Sequence, residues 1–179
     1  MALPDTFKVT PGTAVIWGES GGSGVTLALP LDALGDGLAA MGAVADLGAS
    51  WDVEYSVMLV VETGTAPTAG TGSVSLYLVC THSTSYYPGE VTGSAGTWPV
   101  SDSNEDEHAY HLGAPVTTLV ATADANTTLV QAPVLWRPSG RYVVPVVDNN
   151  LGYAFRDHAT ASNNTSRVIL IPLALQVTD

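Results

Sequence analysis

The sequence predicts an all-β protein: an antiparallel β-sandwich, jelly-roll-like, with long loops and an extended N-terminal arm. Three observations carry that expectation. Apolar and polar residues alternate over several stretches, most cleanly in WDVEYSVMLVVE at 51–62, the pattern of a strand that buries one face and wets the other. Gly/Pro/Asn/Ser turn signals separate these stretches, as in TPG at 10–12, ESGGSG at 19–24, RPSG at 137–140 and DNNLG at 148–152. Of the 179 residues, 46% are apolar and only 12% charged, a balance that suits sheets with neutral hydroxyl-rich faces and argues against disorder.

Residues 1–24 read either as an arm lying on a neighbour or as the first strands, with strand signals at Thr6–Thr10 and Thr13–Trp17. The rest, 25–179, reads as one sandwich domain carrying a long loop at 81–113. Val25–Leu29 is a short strand. Leu31–Met41, LDALGDGLAAM, is the one helical candidate, and Gly35 and Gly37 hold it to about two turns. A βαβ architecture is thereby excluded.

In 51–62, Trp51, Val53, Tyr55, Val57, Leu59 and Val61 share the inward parity, and Asp52, Glu54, Ser56 and Glu62 the solvated one; Met58 and Val60 break the polar side. A loop over 63–72 leads to Ser73–Cys80, read as the hairpin partner. Cys80 follows the parity of Val74, Leu76 and Leu78, so it reads as buried filler rather than a reactive thiol. Further strands are expected at Val116–Ala121, Thr127–Leu135, Tyr142–Val147, Tyr153–Phe155 and Arg167–Val177. Pro145 interrupts RYVVPVV and Pro172 interrupts VILIPLAL; a proline cannot donate to a ladder, so each marks a sheet edge or a bulge.

The net charge of −12 sets seventeen acids against Lys8, Arg137, Arg141, Arg156 and Arg167. Such a surface repels phosphate and anionic lipid, which excludes direct nucleic-acid or membrane partners. The N-terminus MALPDTFKVTPG has no basic region followed by an apolar core, and no apolar run reaches membrane-span length, so synthesis in the cytoplasm is expected. A single cysteine rules out an intrachain disulfide. The sequons at Asn126 and Asn163 read as chance in a Thr-rich chain.

Motifs for chemistry are weak. Gly18-Glu19-Ser20-Gly21-Gly22 matches a nucleophile elbow, but a strand rather than a helix follows, so a Gly-rich turn explains it. Asp102-Ser103-Asn104-Glu105-Asp106 opens like a calcium loop, yet Glu107 stands where glycine is needed and Gly113 where the bidentate glutamate belongs, so it reads as a solvated acidic loop, with a looser hard-cation site of Asp102, Asp106 and backbone carbonyls as the alternative. His108 and His111 are three apart and would point to opposite faces of a strand. Glu54, Glu62 and Asp52 fall on a solvated strand face, where repelling charges keep sheets from stacking. No catalytic residue, metal site or cofactor is expected. Trp17, Tyr86, Tyr87 and Trp98 are candidate interface anchors, together with the strands marked by Pro145 and Pro172.

Three segments carry a family likeness: DLGASWDVEYSVMLVVETGTAPTAGTGSVSLYLV at 46–79, the PG at 88–89, and WRPSGRYVVPVVDNNLGYAF at 136–155 followed by SRVILIP at 166–172. Together they resemble a group of tailed-bacteriophage virion structural proteins. The resemblance implies a β-sandwich or jelly-roll module that serves as capsid cement or decoration. It implies a homo-oligomer, dimer or trimer, whose partner is the major capsid protein at the virion surface. It implies no particular site residue. An alternative of another class is a head-fibre or tail module that binds a host surface glycan or receptor through the 81–113 loop.

Overall fold

The computed structural model describes residues 7–51, 53–70, 72–98, 112–121 and 128–177. They form a β-sandwich of two mostly antiparallel sheets between which the chain repeatedly crosses. Strands β1 (Phe7–Pro11), β2 (Val15–Gly18) and β3 (Leu27–Ala28) belong to sheet A, and β4 (Leu38–Met41) and β5 (Ala45–Asp46) to sheet B. β6 (Glu54–Glu62) returns to sheet A, and β7 (Ser73–Thr81), β8 (Gly96–Thr97) and β9 (Thr117–Val120) to sheet B. β10 (Thr128–Val130) and β11 (Val134–Trp136) lie in sheet A, β12 (Tyr142–Asn150) in sheet B and β13 (Arg167–Val177) in sheet A.

The two long alternating stretches do not pair with each other. β6 pairs with β13 and with β10 and β11, whereas β7 pairs with β12 and β9. The expected 51–80 hairpin is therefore an arch. Its two strands face one another across the core, Tyr55, Val57, Leu59 and Val61 from one sheet and Val74 and Leu76 from the other. Period-two alternation fixes which side chains point inward, not which strand supplies the hydrogen bonds.

Pro145 and Pro172 both sit at bulges, within long strands paired on both sides. β13 pairs with β2 through Leu170↔Val15 and with β1 from Leu173↔Pro11, so residues 12–14 oppose only 171–172. Likewise β12 pairs with β4 through Val146↔Met41 and with β5 from Val143↔Ala45, so residues 42–44 oppose 144–145. In each case a glycine amide donates to the proline carbonyl, Gly12 N to Pro172 O at 2.8 Å and Gly42 N to Pro145 O at 2.9 Å. A strand residue's N and C=O face the same side, so each missing proline N–H falls where the partner strand already bends away.

Gly42 is confined there. A Cβ on it would stand 2.7 Å from Pro145 Cγ and 3.0 Å from Trp17 Cδ1. Gly42→Ala is expected to cost about 1–3 kcal/mol of stability by overpacking, read as a lowered urea midpoint at unchanged m-value; an unchanged midpoint contradicts this packing.

Other sequence expectations shift for local reasons. Leu31–Met41 is no helix: positive φ at Ala33 and Gly37 turns the backbone out of the helical region, and Leu38–Met41 becomes β4. Thr127–Leu135 is split into β10 and β11 by a third bulge, where Gln131 N donates to Leu59 O. Tyr153–Phe155 contracts to a single bridge, Thr63↔Phe155. Trp51 lies in a turn before β6, its ring edge-on to His82. Within 1–24, residues 7–11 and 15–18 pair with β13 in sheet A.

A second apolar cluster covers the outer face of sheet B. Ala39, Met41, Tyr77, Val79, Val144 and Val146 meet Val91 and Trp98 of the 82–98 segment, with Tyr87 packed beside them. This explains the unbroken apolar run in β12, buried from Val143 to Asn149: a strand covered on both faces has no polar parity.

Candidate interaction surface

Among the described residues, the outer face of sheet A has no such cover. On β6 the buried side chains alternate with Glu54, Ser56, Met58 and Val60, and on β13 Val168 and Leu170 point inward while Arg167, Ile169 and Ile171 point out. The register assembles the outward residues into rows: Ile16–Ile169–Met58, Arg167–Val60–Val130 and Ile171–Ser56–Leu135. Paired side chains on one face lie close enough to form a continuous surface. Leu135 is 69% exposed and Val130 58%, and the outward residues of β2, β6 and β13 join neither core cluster. Met58 and Val60, which break the polar parity in the sequence, are part of this surface.

Its charges lie at the ends. Glu54 stands in the row with Leu173 at one end of the face, and Arg167 in the row with Val60 at the other. The Arg167 guanidinium donates to carbonyl oxygens of Thr165, Asn164 and Ser23, and it pairs with no carboxylate among the described residues. Within a chain of net charge −12, the middle of this face is uncharged.

The densest ionic cluster does a different job. Glu62 has outward parity, but the segment crossing from β12 to β13 folds over it. Arg156 Nη1 donates to Glu62 Oε1 at 2.7 Å, and Thr165 Oγ1 donates to Oε2 at 2.8 Å, with His158 Nε2 also 3.0 Å from Oε2. The Glu62 and His158 side chains are 8% and 9% exposed. Asp32 Oδ1 holds the same crossing, accepting from His158 N and Asn164 Nδ2. Burial pushes the Glu62 carboxyl up, and the hydrogen bonds from Thr165, Arg156 and His158 more than reverse it, so it is held below its ordinary 4.5. With all four groups engaged with one another, the arrangement fastens a loop to a sheet. Glu62 is thus buried and paired rather than solvated, and no local pattern announces a partner 96 residues away.

The six anchor candidates do not form one surface. Trp17 is buried in the sandwich core with Nε1 donating to Ala43 O at 2.7 Å, and Trp98 is buried under the 82–98 segment with Nε1 donating to Gly89 O at 2.9 Å. As folded, neither indole has surface to offer a neighbour, which corrects the expectation for both. Pro145 is buried and Pro172 half-buried, each occupied at its bulge. Tyr87 is half-buried and its hydroxyl donates to Thr84 O. Tyr86, 77% exposed, remains available.

Elsewhere, Ser20 sits in an exposed turn closed by Gly22 N donating to Glu19 O. Cys80 packs half-buried against the core, and burial pushes its thiol up. Asp102, Glu105, Asp106, Glu107, His108, Tyr110 and His111 lie outside the described residues, as does the sequon at Asn126. Among the described residues no three His, Cys, Asp or Glu side chains are grouped to hold a metal, and no helix is long and apolar enough to cross a membrane. Two shallow depressions of about 300 and 330 Å³ adjoin at Ala14, Val15 and Asp46. Their one ionic group, Asp46, is held by Arg141 at 2.6 and 2.7 Å.

No protein-family model, curated protein or solved structure matches the chain.

Proposed function

We propose that the chain is a structural protein of a tailed-bacteriophage virion. It acts as a jelly-roll-like cement or decoration module at the capsid surface, where it helps hold neighbouring major capsid subunits together. The observation that carries this reading is the outer face of sheet A: a rigid, apolar, centrally uncharged surface on an otherwise acidic protein, of the kind that marks a protein contact. The segments at 46–79 and 136–172 that resemble virion proteins contribute β6 and the first half of β13 to sheet A, and most of β7 and all of β12 to sheet B, so two strands of the face lie within the likeness. The polar cluster most like a reactive centre, around Glu62 and His158, is spent on fastening the chain, which favours assembly over catalysis.

The alternative, recognition of a host glycan through the 81–113 loop, is less well served. Of the aromatic residues described in that loop, Trp98 and Tyr87 pack onto sheet B and Tyr86 is exposed.

Co-sedimentation with empty capsids tests the proposal. The purified protein is expected to pellet with them, and Leu135→Glu, on the exposed face, to reduce retention by about tenfold or more. Failure of the wild type to pellet, or equal retention of the variant, contradicts it.

A further inference from the structure

We infer that the outer face of sheet A is occupied by a second copy of this chain, packed face to face about a two-fold axis that lies between the sheets and perpendicular to the strands. The inference rests on the reading of this face as a contact surface and names its occupant. Four observations point to self-association.

The first is charge. Arg167 and Glu54 mark opposite ends of the face, about six residues or roughly 20 Å apart along the strands. A two-fold parallel to the strands would bring like ends together. The perpendicular axis reverses them, placing Arg167 of each copy beside Glu54 of the partner subunit. The face is thus its own electrostatic complement, as an isologous interface requires. The guanidinium, held so far by carbonyls alone, gains a carboxylate.

The second is shape. The midpoint between Glu54 and Val60 on β6 is Val57, so an axis over that row carries position 56 onto position 58. Met58 then lies over the partner's Ser56, a flexible thioether above the smallest side chain of the outward parity, and the converse contact forms by symmetry.

The third is size. Four strand positions at about 4.8 Å and seven residues at about 3.3 Å give a footprint of roughly 450 Å². The accessible area of a corrugated surface exceeds its footprint, so two copies bury on the order of 1,000 Å², where specific association begins.

The fourth is repulsion, or its absence. At net charge −12, two copies approaching by an acidic flank would repel. Among the described residues the charged side chains in the rows of this face are Arg167 and Glu54, one cation and one anion per copy, and the next acid along β6, Glu62, is paired with Arg156 under the crossing segment. A dimer bridging two capsid positions would hold more firmly than a single chain, which links the inference to the proposed role.

The test is solution mass by light scattering, with circular dichroism confirming that each variant folds. The wild type is expected at twice the chain mass of 18.4 kDa and Leu135→Glu at the single mass. Glu54→Arg and Arg167→Glu are each expected to raise the dissociation constant by about tenfold, and the double exchange to restore it. A wild type that stays single at roughly 1 mM overturns the inference. If that single chain still loses capsid binding on Leu135→Glu, the face contacts capsid protein instead and the proposed function stands. A dimer indifferent to Leu135→Glu, or charge variants that do not rescue each other, also overturns the two-fold. A dimer that behaves as expected but ignores capsids leaves the inference intact and removes the virion role.

Discussion

Glu62→Ala is expected to remove about 3 kcal/mol of stability, enough to shift the urea midpoint strongly while leaving the far-ultraviolet spectrum of the folded protein unchanged. The carboxylate is the common acceptor for Arg156, His158 and Thr165. Deleting it strands a buried imidazole and a hydroxyl, and removing one partner of a buried pair typically costs 3–5 kcal/mol. The low end applies because the Arg156 side chain is 49% exposed and water compensates its loss. Glu62→Gln keeps the shape and part of the bonding, so its loss should be smaller.

The same residue sets an acid dependence. Its folded pKa lies below the ordinary 4.5, so the unfolded chain binds the proton more readily. The stabilisation is complete above the unfolded value and is lost as pH falls through the folded one. Wild type should therefore lose more stability than Glu62→Gln between about pH 5 and the folded pKa, and the two curves should converge below it. Parallel curves would show that the carboxylate does not hold the crossing.

Trp17→Ala is expected to cost about 3–5 kcal/mol, a large part of the stability of an ordinary domain. The indole fills the core between the sheets and its N–H ties β2 to Ala43 at the bulge of sheet B. Truncation leaves a cavity and removes the carbonyl's indole donor. Trp17→Phe should retain most of the packing and lose roughly 1–2 kcal/mol. These losses should appear in unfolding of the chain at any concentration. A tryptophan that anchored a neighbour would instead change the association constant, and an effect confined to association contradicts its placement in the core.

Much of the fold is legible in the sequence because burial imposes a period. The inward set of β6, the β7 parity that includes Cys80, and the restriction of Pro145 and Pro172 to a sheet edge or a bulge all follow from side-chain alternation or from a missing N–H. What local patterns leave open is which sheet a strand joins. An arch and a hairpin write the same alternation, so β6 and β7 read as neighbours although each pairs elsewhere.

The indoles of Trp17 and Trp98 are ambiguous for a similar reason. A large aromatic serves a core or an interface equally well, and only tertiary placement decides. The Glu62 cluster draws on three stretches of chain, at Glu62, at Arg156 and His158, and at Thr165, none of which carries a motif. The candidate face did leave a trace: Met58 and Val60 stand on the parity that a wet strand would give to polar residues.

Methionine oxidation tests that face most directly. Met41 lies under the 82–98 cover and Met58 on the open side of β6, so one serves as the internal control for the other. Under mild peroxide, Met58 should oxidise in the Leu135→Glu chain and be protected in the assembled wild type, while Met41 stays protected in both. Equal oxidation of Met58 in the two samples, with assembly intact, would show that the outer face of sheet A is not where this protein meets its neighbours.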